Sequence, residues 1–345
     1  DYTSRCARHR PVRRGKMTDP LLSPMISVVV PTNRRPLLLA RVLAALAAQT
    51  LAHRRYEILI VDDGRSAETM EIVDACERDH PGLTFLCLTP PTGAHGPAAA
   101  RNTGWRAARA SIIAFTDDDT VPRRDWLEAG CRAMLRGTTA VWGRLVVPIS
   151  ATPSDYERMI QRMEQAPFLT ANCFVRRQAL AAVGGFDERF TRAWREDSDL
   201  WFSLLRQGGL VLSAPEAIVA HPVRAVKWGV SLRSQRNAFF DALLYKKHPT
   251  LYRERIERRP PLDYYAIVAC GVLTLLAVAA HKPGAALVAA AAWGGITCAF
   301  LLRRLRGTAK TPSRVLELAI TSIAIPWIAV AWRLAGAVRY RVLFA

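Results

Sequence analysis

The sequence contains no closely spaced pair of cysteines and no closely spaced pair of histidines. Its seven cysteines never form a C-x-x-C motif, and its seven histidines show neither H-x-x-H nor H-x-x-x-H spacing. Structural zinc sites and disulfide-stabilised secreted domains depend on such spacings. The sequence therefore indicates neither kind of protein, and it favours reduced cysteines in a cytosol-facing chain.

A glycine-rich turn for a dinucleotide is also missing. In dinucleotide-dependent oxidoreductases a G-x-G-x-x-G motif follows the first strand. Here the corresponding turn reads PTNRRP, and Gly93 and Gly96 lie in a later loop with the wrong spacing. The pattern argues against an oxidoreductase built on a similar sheet.

Acidic residues are scarce relative to basic ones, 29 against 48, which gives a formal net charge of +19 at pH 7. Nucleic acid, an anionic membrane surface and a polyphosphate substrate all attract such a chain. The basic residues concentrate at 224–259 and 303–314, beside apolar segments, and no RNA or DNA motif accompanies them. The distribution favours contact with anionic lipid and argues against nucleic acid as a partner.

The first sixteen residues are basic but lack the apolar core of a signal peptide. The sequence begins with Asp, and Met17 or Met25 is a candidate start. We therefore expect 1–25 to be a disordered basic leader.

Residues 26–222 alternate short apolar runs with segments of helical periodicity, which is typical of an α/β domain around a mainly parallel sheet. Strands are predicted at 26–30, 58–61, 83–88 and 112–115, joined by crossover helices. Ligands of open α/β sheets bind beyond the carboxyl ends of the strands. We expect the chemistry at that edge.

The last quarter of the chain has the pattern of membrane helices. Segments 264–280 and 283–302 contain 17 and 20 residues without a charge, close to the length that spans a bilayer. Segment 318–332 adds 15 uncharged residues around Pro326. This third segment is either a tilted span, which we prefer, or an interfacial or re-entrant helix.

These patterns predict a basic juxtamembrane helical segment at 223–262 and a membrane region of two to three helices at 263–345. Positive charge is enriched on the cytoplasmic side of membrane proteins. We therefore expect an inner (cytoplasmic) membrane location, with the domain at 26–222 facing the cytoplasm.

Three consecutive carboxylates, Asp117, Asp118 and Asp119, follow the strand at 112–115. Adjacent acids repel one another unless a cation neutralises them, and carboxylate oxygens suit Mg²⁺ or Mn²⁺. In an extended backbone, Asp117 and Asp119 would point the same way. The alternative is an acidic turn that caps a helix before Pro122.

A second acidic pair, Glu196 and Asp197, opens a segment of helical periodicity. A carboxylate there can remove a proton from a substrate hydroxyl. We expect the helix dipole to lower the pKa of Asp197. Simple helix capping is the alternative role for these acids.

These residues together resemble the nucleotide-sugar-dependent glycosyltransferases of family 2, which have a GT-A type fold. The resemblance runs in order through SVVVPTNRRP, EILIVDDG, PAAARNTGW, AFTDDD, TANCFVRR, VGGFDERF and WREDSDLWFSLLRQG. It covers 26–222, a little over half of the chain. It implies a GT-A nucleotide-diphospho-sugar transferase fold, a mainly parallel sheet flanked by helices, followed here by C-terminal transmembrane helices.

The resemblance also implies roles for individual residues. Those expected to bind the nucleotide-sugar are Pro31, Thr32, Asp63, Arg101, Asp117 and Asp118. Those expected to hold Mg²⁺ or Mn²⁺ are Asp119, Asp117 and His221. Arg101 can instead be a surface helix residue, and His221 can be structural.

Asp197 matches the family's catalytic base, and the acceptor side is expected to include Gly185, Phe186 and Glu196. A plain tight turn explains Gly184 and Gly185 equally well. The Q-x-x-R-W motif of processive members is absent from the segment SLRSQRN, which argues against polymer synthesis.

The predicted function is hexosyltransferase-like. An inverting enzyme would move a sugar from a nucleotide-diphosphate donor to an acceptor hydroxyl, lipid-linked or on a glycan, in cell-envelope or exopolysaccharide synthesis. The alternative is a membrane-anchored nucleotide-sugar-binding protein without turnover. The intact acids at 117–119 and 197 argue against that alternative.

Overall fold

The computed structural model describes residues 23–135 and 137–344, so nearly all of the leader predicted for 1–25 lies outside the described residues. In chain order, helices α1 to α13 span Pro36–Ala47, Ala67–Asp79, Pro97–Ala107, Trp126–Ala133, Asp155–Gln161, Arg177–Val183, Glu196–Arg206, Val230–Ser234, Ala238–Lys247, Pro249–Arg255, Leu262–Ala279, Pro283–Leu305 and Pro312–Tyr340. Strands β1 to β8 span Ile26–Thr32, Tyr56–Asp62, Thr84–Leu88, Ile112–Phe115, Val121–Pro122, Thr138–Val146, Cys173–Arg176 and Leu210–Ala220.

The chain divides into two compact units. The first runs to Pro148 and resumes at Arg162–Pro222, and the second comprises Ile149–Gln161 and the chain from Val223 onward. The sequence predicts one continuous domain over 26–222, whereas the structure assigns 149–161 to the second unit. Within that unit, Arg304 Nη2 lies 2.8 Å from Asp155 Oδ2 and pairs this segment with α12.

The first unit is built on an eight-stranded sheet with the order β3-β2-β1-β4-β7-β6-β8-β5. The pairs β1–β2, β2–β3, β1–β4 and β6–β8 are parallel, and β4–β7, β6–β7 and β5–β8 are antiparallel. Parallel pairing therefore predominates, as predicted. The carboxyl ends of β1, β2 and β4 meet at one edge.

The central strands are buried because their sequences are mostly apolar and β-branched. Val28, Val29 and Val30 of β1 have no exposed surface, and every residue of β2 is buried. Strands covered on both faces read as continuous apolar runs in this way. β2 begins at Tyr56, two residues before the predicted start, and the Tyr56 hydroxyl donates to the Leu46 carbonyl at 2.7 Å.

The second unit contains three helices, α11, α12 and α13, that are long and apolar enough to cross a membrane by length and composition. Prolines stand in the first turns of α12 and α13, where their missing N–H costs nothing. Most apolar residues of α11 and α12 are exposed, including Leu275 and Leu287. Such surfaces suit hydrocarbon surroundings.

Pro326 does not end the third apolar helix. Segment 318–332 lies inside the 29-residue helix α13, which continues through Pro326 to Tyr340. The flanking turns therefore extend the segment well beyond its 15 uncharged residues. By length and composition, α13 meets the requirement for a span that the sequence analysis preferred.

Candidate active site

The candidate site begins where β1 and β4 end side by side. Thr32 is the last residue of β1, and its hydroxyl donates to Asp118 Oδ2 at 2.8 Å. Both side chains are buried. Parallel pairing of β1 and β4 brings the two ends together, so the structure joins two of the predicted nucleotide-binding residues.

The backbone of the acidic triplet is a turn, and the extended conformation considered for it is wrong. Asp118 and Asp119 lie in the turn, and the Thr120 hydroxyl donates to the Asp117 carbonyl at 2.8 Å. The turn gives each carboxylate a different polar neighbour. Dispersal of this kind reduces repulsion among three adjacent acids.

Arg101 on α3 is the cation that joins the two acidic stretches. Its Nη2 lies 2.7 Å from Asp117 Oδ1, and its Nη1 lies 2.9 Å from Glu196 Oε1. The side chain is only 2% exposed, so the surface alternative for Arg101 is wrong. Burial opposes its charge, but the two carboxylates raise the pKa of Arg101 above its ordinary value. The triplet and the 196–197 pair therefore share one site.

Asp197 lies in the first turn of α7, partly exposed beside the buried Glu196. Its Oδ1 accepts from the Ser198 N–H at 2.6 Å. The net shift in its pKa is opposite to the one expected from the helix dipole. Burial raises the pKa of Asp197, and the hydrogen bonds from Ser198 and the charge of Arg195 do not outweigh it. A raised pKa makes this carboxylate a stronger base.

Glu196 is held differently from its neighbour. Burial raises the pKa of Glu196, and the charge of Arg101 only partly opposes that effect. One carboxylate oxygen pairs with Arg101, whereas Oε2 is buried without a hydrogen-bond partner. Asp197 is the more accessible member of the pair and the better placed to meet a substrate.

Asp119 and His221 form the part of the site that fits a divalent cation. Asp119 Oδ1 lies 3.4 Å from His221 Nε2, and His221 Nδ1 is buried without a hydrogen-bond partner. Among the described residues no group of three or more His, Cys, Asp or Glu side chains is arranged as a metal site. Two protein ligands are sufficient for an ion whose other ligands are water and phosphate.

Asp117 has a different partner from the other two predicted metal ligands. Its Oδ1 is engaged by Arg101, whereas Asp119 lies beside His221. Of the three residues proposed to hold the ion, the structure therefore brings Asp119 and His221 together. Asp117 therefore belongs with Arg101 and Glu196, which we call the Arg101 cluster.

Arg35 is a site residue that the sequence analysis did not single out. Its Nη1 lies 3.0 Å from Asp118 Oδ1 and 3.8 Å from Asp119 Oδ2, and its side chain is 40% exposed. Burial raises the pKa of Asp118, although Arg35 and Thr32 oppose that shift. The sequence could have indicated Arg35, because the motif PTNRRP places two arginines directly after β1, at the edge where the site was expected.

Asp63 follows β2 and closes the same edge of the sheet. Its Oδ2 accepts from the Gly96 N–H at 3.0 Å and from Asn33 Nδ2 at 3.2 Å. Gly96 has a φ of +88°, and a Cβ there would lie 2.7 Å from the Thr191 carbonyl oxygen. Asp63 thus ties the start of α3 to the strand ends, near Pro31 of β1.

Gly184 and Gly185 end α6, and the tight-turn interpretation describes their geometry. Both have φ near +80°, and the Gly185 N–H donates to the Leu180 carbonyl at 2.8 Å. The next residue, Phe186, is buried against Phe115 with ring centroids 5.3 Å apart. The Phe186 ring also lies 5.8 Å from the Arg101 guanidinium carbon. The acceptor role of these residues stays a prediction.

The two glycines allow a matched test of this turn. Gly184→Ala adds a side chain at positive φ in open space, whereas a Cβ at Gly185 would also lie 2.5 Å from Asn102 Oδ1. We expect Gly184→Ala to cost roughly 1–3 kcal/mol of unfolding free energy, and Gly185→Ala to cost more. Denaturant unfolding of the two purified variants measures both. Equal losses would show that Asn102 moves aside without cost.

Comparison with known proteins gives family matches and similar folds. The model for "Glycosyl transferase family 2" matches residues 27–186, and that for "Glycosyl transferase family group 2" matches residues 112–335. Glycosyltransferase AglE of Haloferax volcanii is 28% identical over 213 residues, covering 58% of this chain and 68% of that protein. The pre-mycofactocin glycosyltransferase of Mycobacterium tuberculosis is 30% identical over 221 residues, covering 58% of this chain and 43% of that protein.

Among solved structures, the mannosyltransferase PcManGT from Pyrobaculum calidifontis in complex with GDP-Man and Mn²⁺ is similar over nearly the whole chain. The TM-score is 0.58 at 20% sequence identity, covering 96% of this chain and 93% of that one. At this identity the likeness shows the fold alone.

Proposed function

Because the chain belongs to glycosyltransferase family 2 and has the predicted GT-A type fold, we propose that it is an inverting enzyme. It transfers a sugar from a nucleotide-diphosphate donor to an acceptor hydroxyl. The observation that carries the proposal is the double ion pair of Arg101, which holds Asp117 and Glu196 in one site. Through it, the candidate base Asp197 lies beside the strand-end acids.

Asp197 is the proposed base. It accepts the proton of the acceptor hydroxyl as the acceptor oxygen bonds to the anomeric carbon and the bond from that carbon to the diphosphate oxygen breaks. The diphosphate leaves with the electron pair, and the single displacement inverts the anomeric carbon. The pKa of Asp197, raised by burial, favours this proton transfer. Glu196 and Arg101 position the base without contacting the reacting atoms.

Asp119 and His221 are the residues proposed to hold Mg²⁺ or Mn²⁺. A divalent cation there neutralises charge on the donor diphosphate and on the leaving group. Support comes from the adjacent carboxylate oxygen and imidazole nitrogen, and from the similar fold of a mannosyltransferase solved with GDP-Man and Mn²⁺. Arg35 adds a positive charge beside Asp118 and Asp119.

The donor nucleotide is proposed to bind across the ends of β1 and β2. Pro31, Thr32 and Asp63 lie there, and Arg101, Asp117 and Asp118 form the adjoining edge. Thr32 and Arg35 fix Asp118 from two sides, so this acid shapes the loop. Gly185, Phe186 and Glu196 are proposed to face the acceptor.

The acceptor is proposed to be lipid-linked, in cell-envelope or exopolysaccharide synthesis at the inner membrane. Three helices long and apolar enough to cross a membrane support this. The basic residues within 224–259 and 303–314 support a cytoplasmic position of the first unit. A transferase held at the membrane has ready access to an acceptor carried by a lipid.

The direct test incubates membranes that contain the protein with labelled UDP-, GDP- and dTDP-sugars and then extracts them with organic solvent. We expect label from one donor to enter the lipid phase. Label only in water-soluble polymer would contradict the lipid-linked acceptor. Donor binding in titration calorimetry without transfer to any acceptor would favour a binding protein instead.

Asp119→Asn tests the proposed cation site. We expect at least a roughly tenfold loss of Mn²⁺ affinity, because a neutral amide replaces the carboxylate next to His221. Electron paramagnetic resonance of Mn²⁺ with a nucleoside diphosphate measures the bound fraction without turnover. Asp79→Asn, which changes an exposed carboxylate on α2, is the control. Unchanged Mn²⁺ affinity in Asp119→Asn would place the ion elsewhere.

A further inference from the structure

The second unit contains a cavity of about 450 Å³ whose lining shares no residue with the site described above. Three chain segments line it: 154–159, 223–231 and 304–318. The third segment joins the last residues of α12 to the first turns of α13. The cavity therefore lies where two apolar helices reach their polar ends, at the level expected for lipid headgroups.

The carboxylates of the cavity are all bound to groups of the protein. Asp155 pairs with Arg304, and Glu317 accepts from the Gly229 N–H at 2.7 Å. Glu157 accepts from the Ser154 N–H at 2.7 Å. Although burial opposes it, hydrogen bonding from the serines lowers the pKa of Glu157 to about 2. These acids hold the wall segments to one another and are already provided with donors.

Four basic side chains line the cavity. Arg304 forms the ion pair with Asp155. Arg224 and Lys227 are exposed at the wall, and Arg314 lies on the first turn of α13, where its Nη1 donates to the Thr152 carbonyl at 3.3 Å. Arg306 and Lys310 stand in the adjoining loop without lining the cavity, and residues 306–314 contain no acidic residue. Guanidinium and ammonium groups around one cavity suit an anion with several oxygens, such as a phosphate or diphosphate.

Apolar side chains stand beside these cations. Val226 and Trp228 line the cavity and are 42% and 52% exposed, and Met159 is 40% exposed. Leu316 and Ile320 continue an exposed apolar surface along α13. Tryptophan is enriched at membrane interfaces, where its ring meets both headgroup and hydrocarbon. Inorganic phosphate cannot make apolar contacts with this surface, whereas the hydrocarbon chain of a lipid phosphate can.

We propose that this cavity binds the phosphate or diphosphate group of a lipid, with Arg224, Lys227 and Arg314 as its cationic ligands. The hydrocarbon chain leaves along Trp228 and the exposed apolar residues of α13. This inference deepens the proposed function, and rests on it, in taking the bound lipid to carry, on its phosphate or diphosphate, the sugar whose hydroxyl is the acceptor. The cavity is then the feature that selects an acceptor by its anionic group.

The test measures binding of a polyprenyl phosphate to the full chain in detergent, with no sugar donor present. The probes for comparison are the uncharged polyprenol, phosphatidylglycerol and inorganic phosphate. The variant R224E/K227E reverses two cavity charges, and R258E/R259E reverses two exposed charges outside the cavity as the matched control. Trp228→Ser removes the apolar wall without changing charge.

We expect polyprenyl phosphate to bind at least tenfold more tightly than the three comparison probes. R224E/K227E should weaken it at least tenfold, Trp228→Ser should weaken it by a smaller factor, and R258E/R259E should leave it unchanged. Equal binding of phosphatidylglycerol, equal binding of inorganic phosphate, or equal loss in both charge variants would overturn the proposal. The binding assay contains no donor, so its result does not depend on turnover. Lipid binding here, combined with no transfer in the labelled-donor assay, would contradict the proposed function and leave the binding site standing.

Discussion

Asp197→Asn is expected to lower kcat for sugar transfer by roughly 10²–10⁴-fold, the usual contribution of a general base. The amide has nearly the shape of the carboxylate but cannot accept the acceptor proton. Asp197 is partly exposed in the first turn of α7, and its Oδ1 accepts from the backbone N–H and from the hydroxyl of the adjacent Ser198. The variant should therefore fold and bind donor while turnover is lost.

Asp79→Asn, on the exposed face of α2, makes the same chemical change away from the site and should keep full activity. In the native enzyme, kcat should be high above the pKa of Asp197 and fall as pH drops through it. Since burial raises that pKa, the acid limb should lie above the ordinary aspartate value of about 3.9. Full turnover in Asp197→Asn, or a pH profile unchanged by it, would remove Asp197 from the proposed role.

The first half of the sheet was predictable because its pairing is local. β1, β2, β3 and β4 are apolar runs separated by helical segments, and β1 to β3 pair with their sequence neighbours. The second half of the sheet depends on pairing between strands that are far apart in the sequence. β7 pairs antiparallel with β4, with Ile113 opposite Val175, and no local pattern in either strand specifies that partner.

The site likewise has features that the local sequence predicts and features that depend on distant residues. The strand-end acids and the acids of α7 were evident from their order in the chain. Their electrostatics were not, because Arg101 receives its carboxylate partners from positions 16 and 95 residues away. The rise in the Asp197 pKa likewise comes from burial by the fold, whereas sequence position alone suggested only the helix dipole.

Arg101→Met is expected to destabilise the first unit by about 3–5 kcal/mol, because it leaves Asp117 and the buried Glu196 without their shared cation. Methionine keeps much of the volume beside Phe186 but none of the charge. Denaturant unfolding followed through a probe in the first unit measures the loss. The stability of Arg101→Lys should lie between that of the native protein and that of Arg101→Met. Lysine keeps the positive charge, but one ammonium cannot reproduce a planar group that reaches both acids.

The triple variant R101M/D117N/E196Q separates electrostatics from packing. If the loss in Arg101→Met comes from uncompensated buried acids, neutralising both partners should restore most of the stability, since buried ion groups are often replaceable by neutral ones of similar volume. If instead the guanidinium acts mainly through its contact with the Phe186 ring, the triple variant should be no more stable than Arg101→Met. Recovered stability without recovered turnover would assign the cluster to positioning Asp197, because the fold would then persist without the charges that hold the two acidic stretches together.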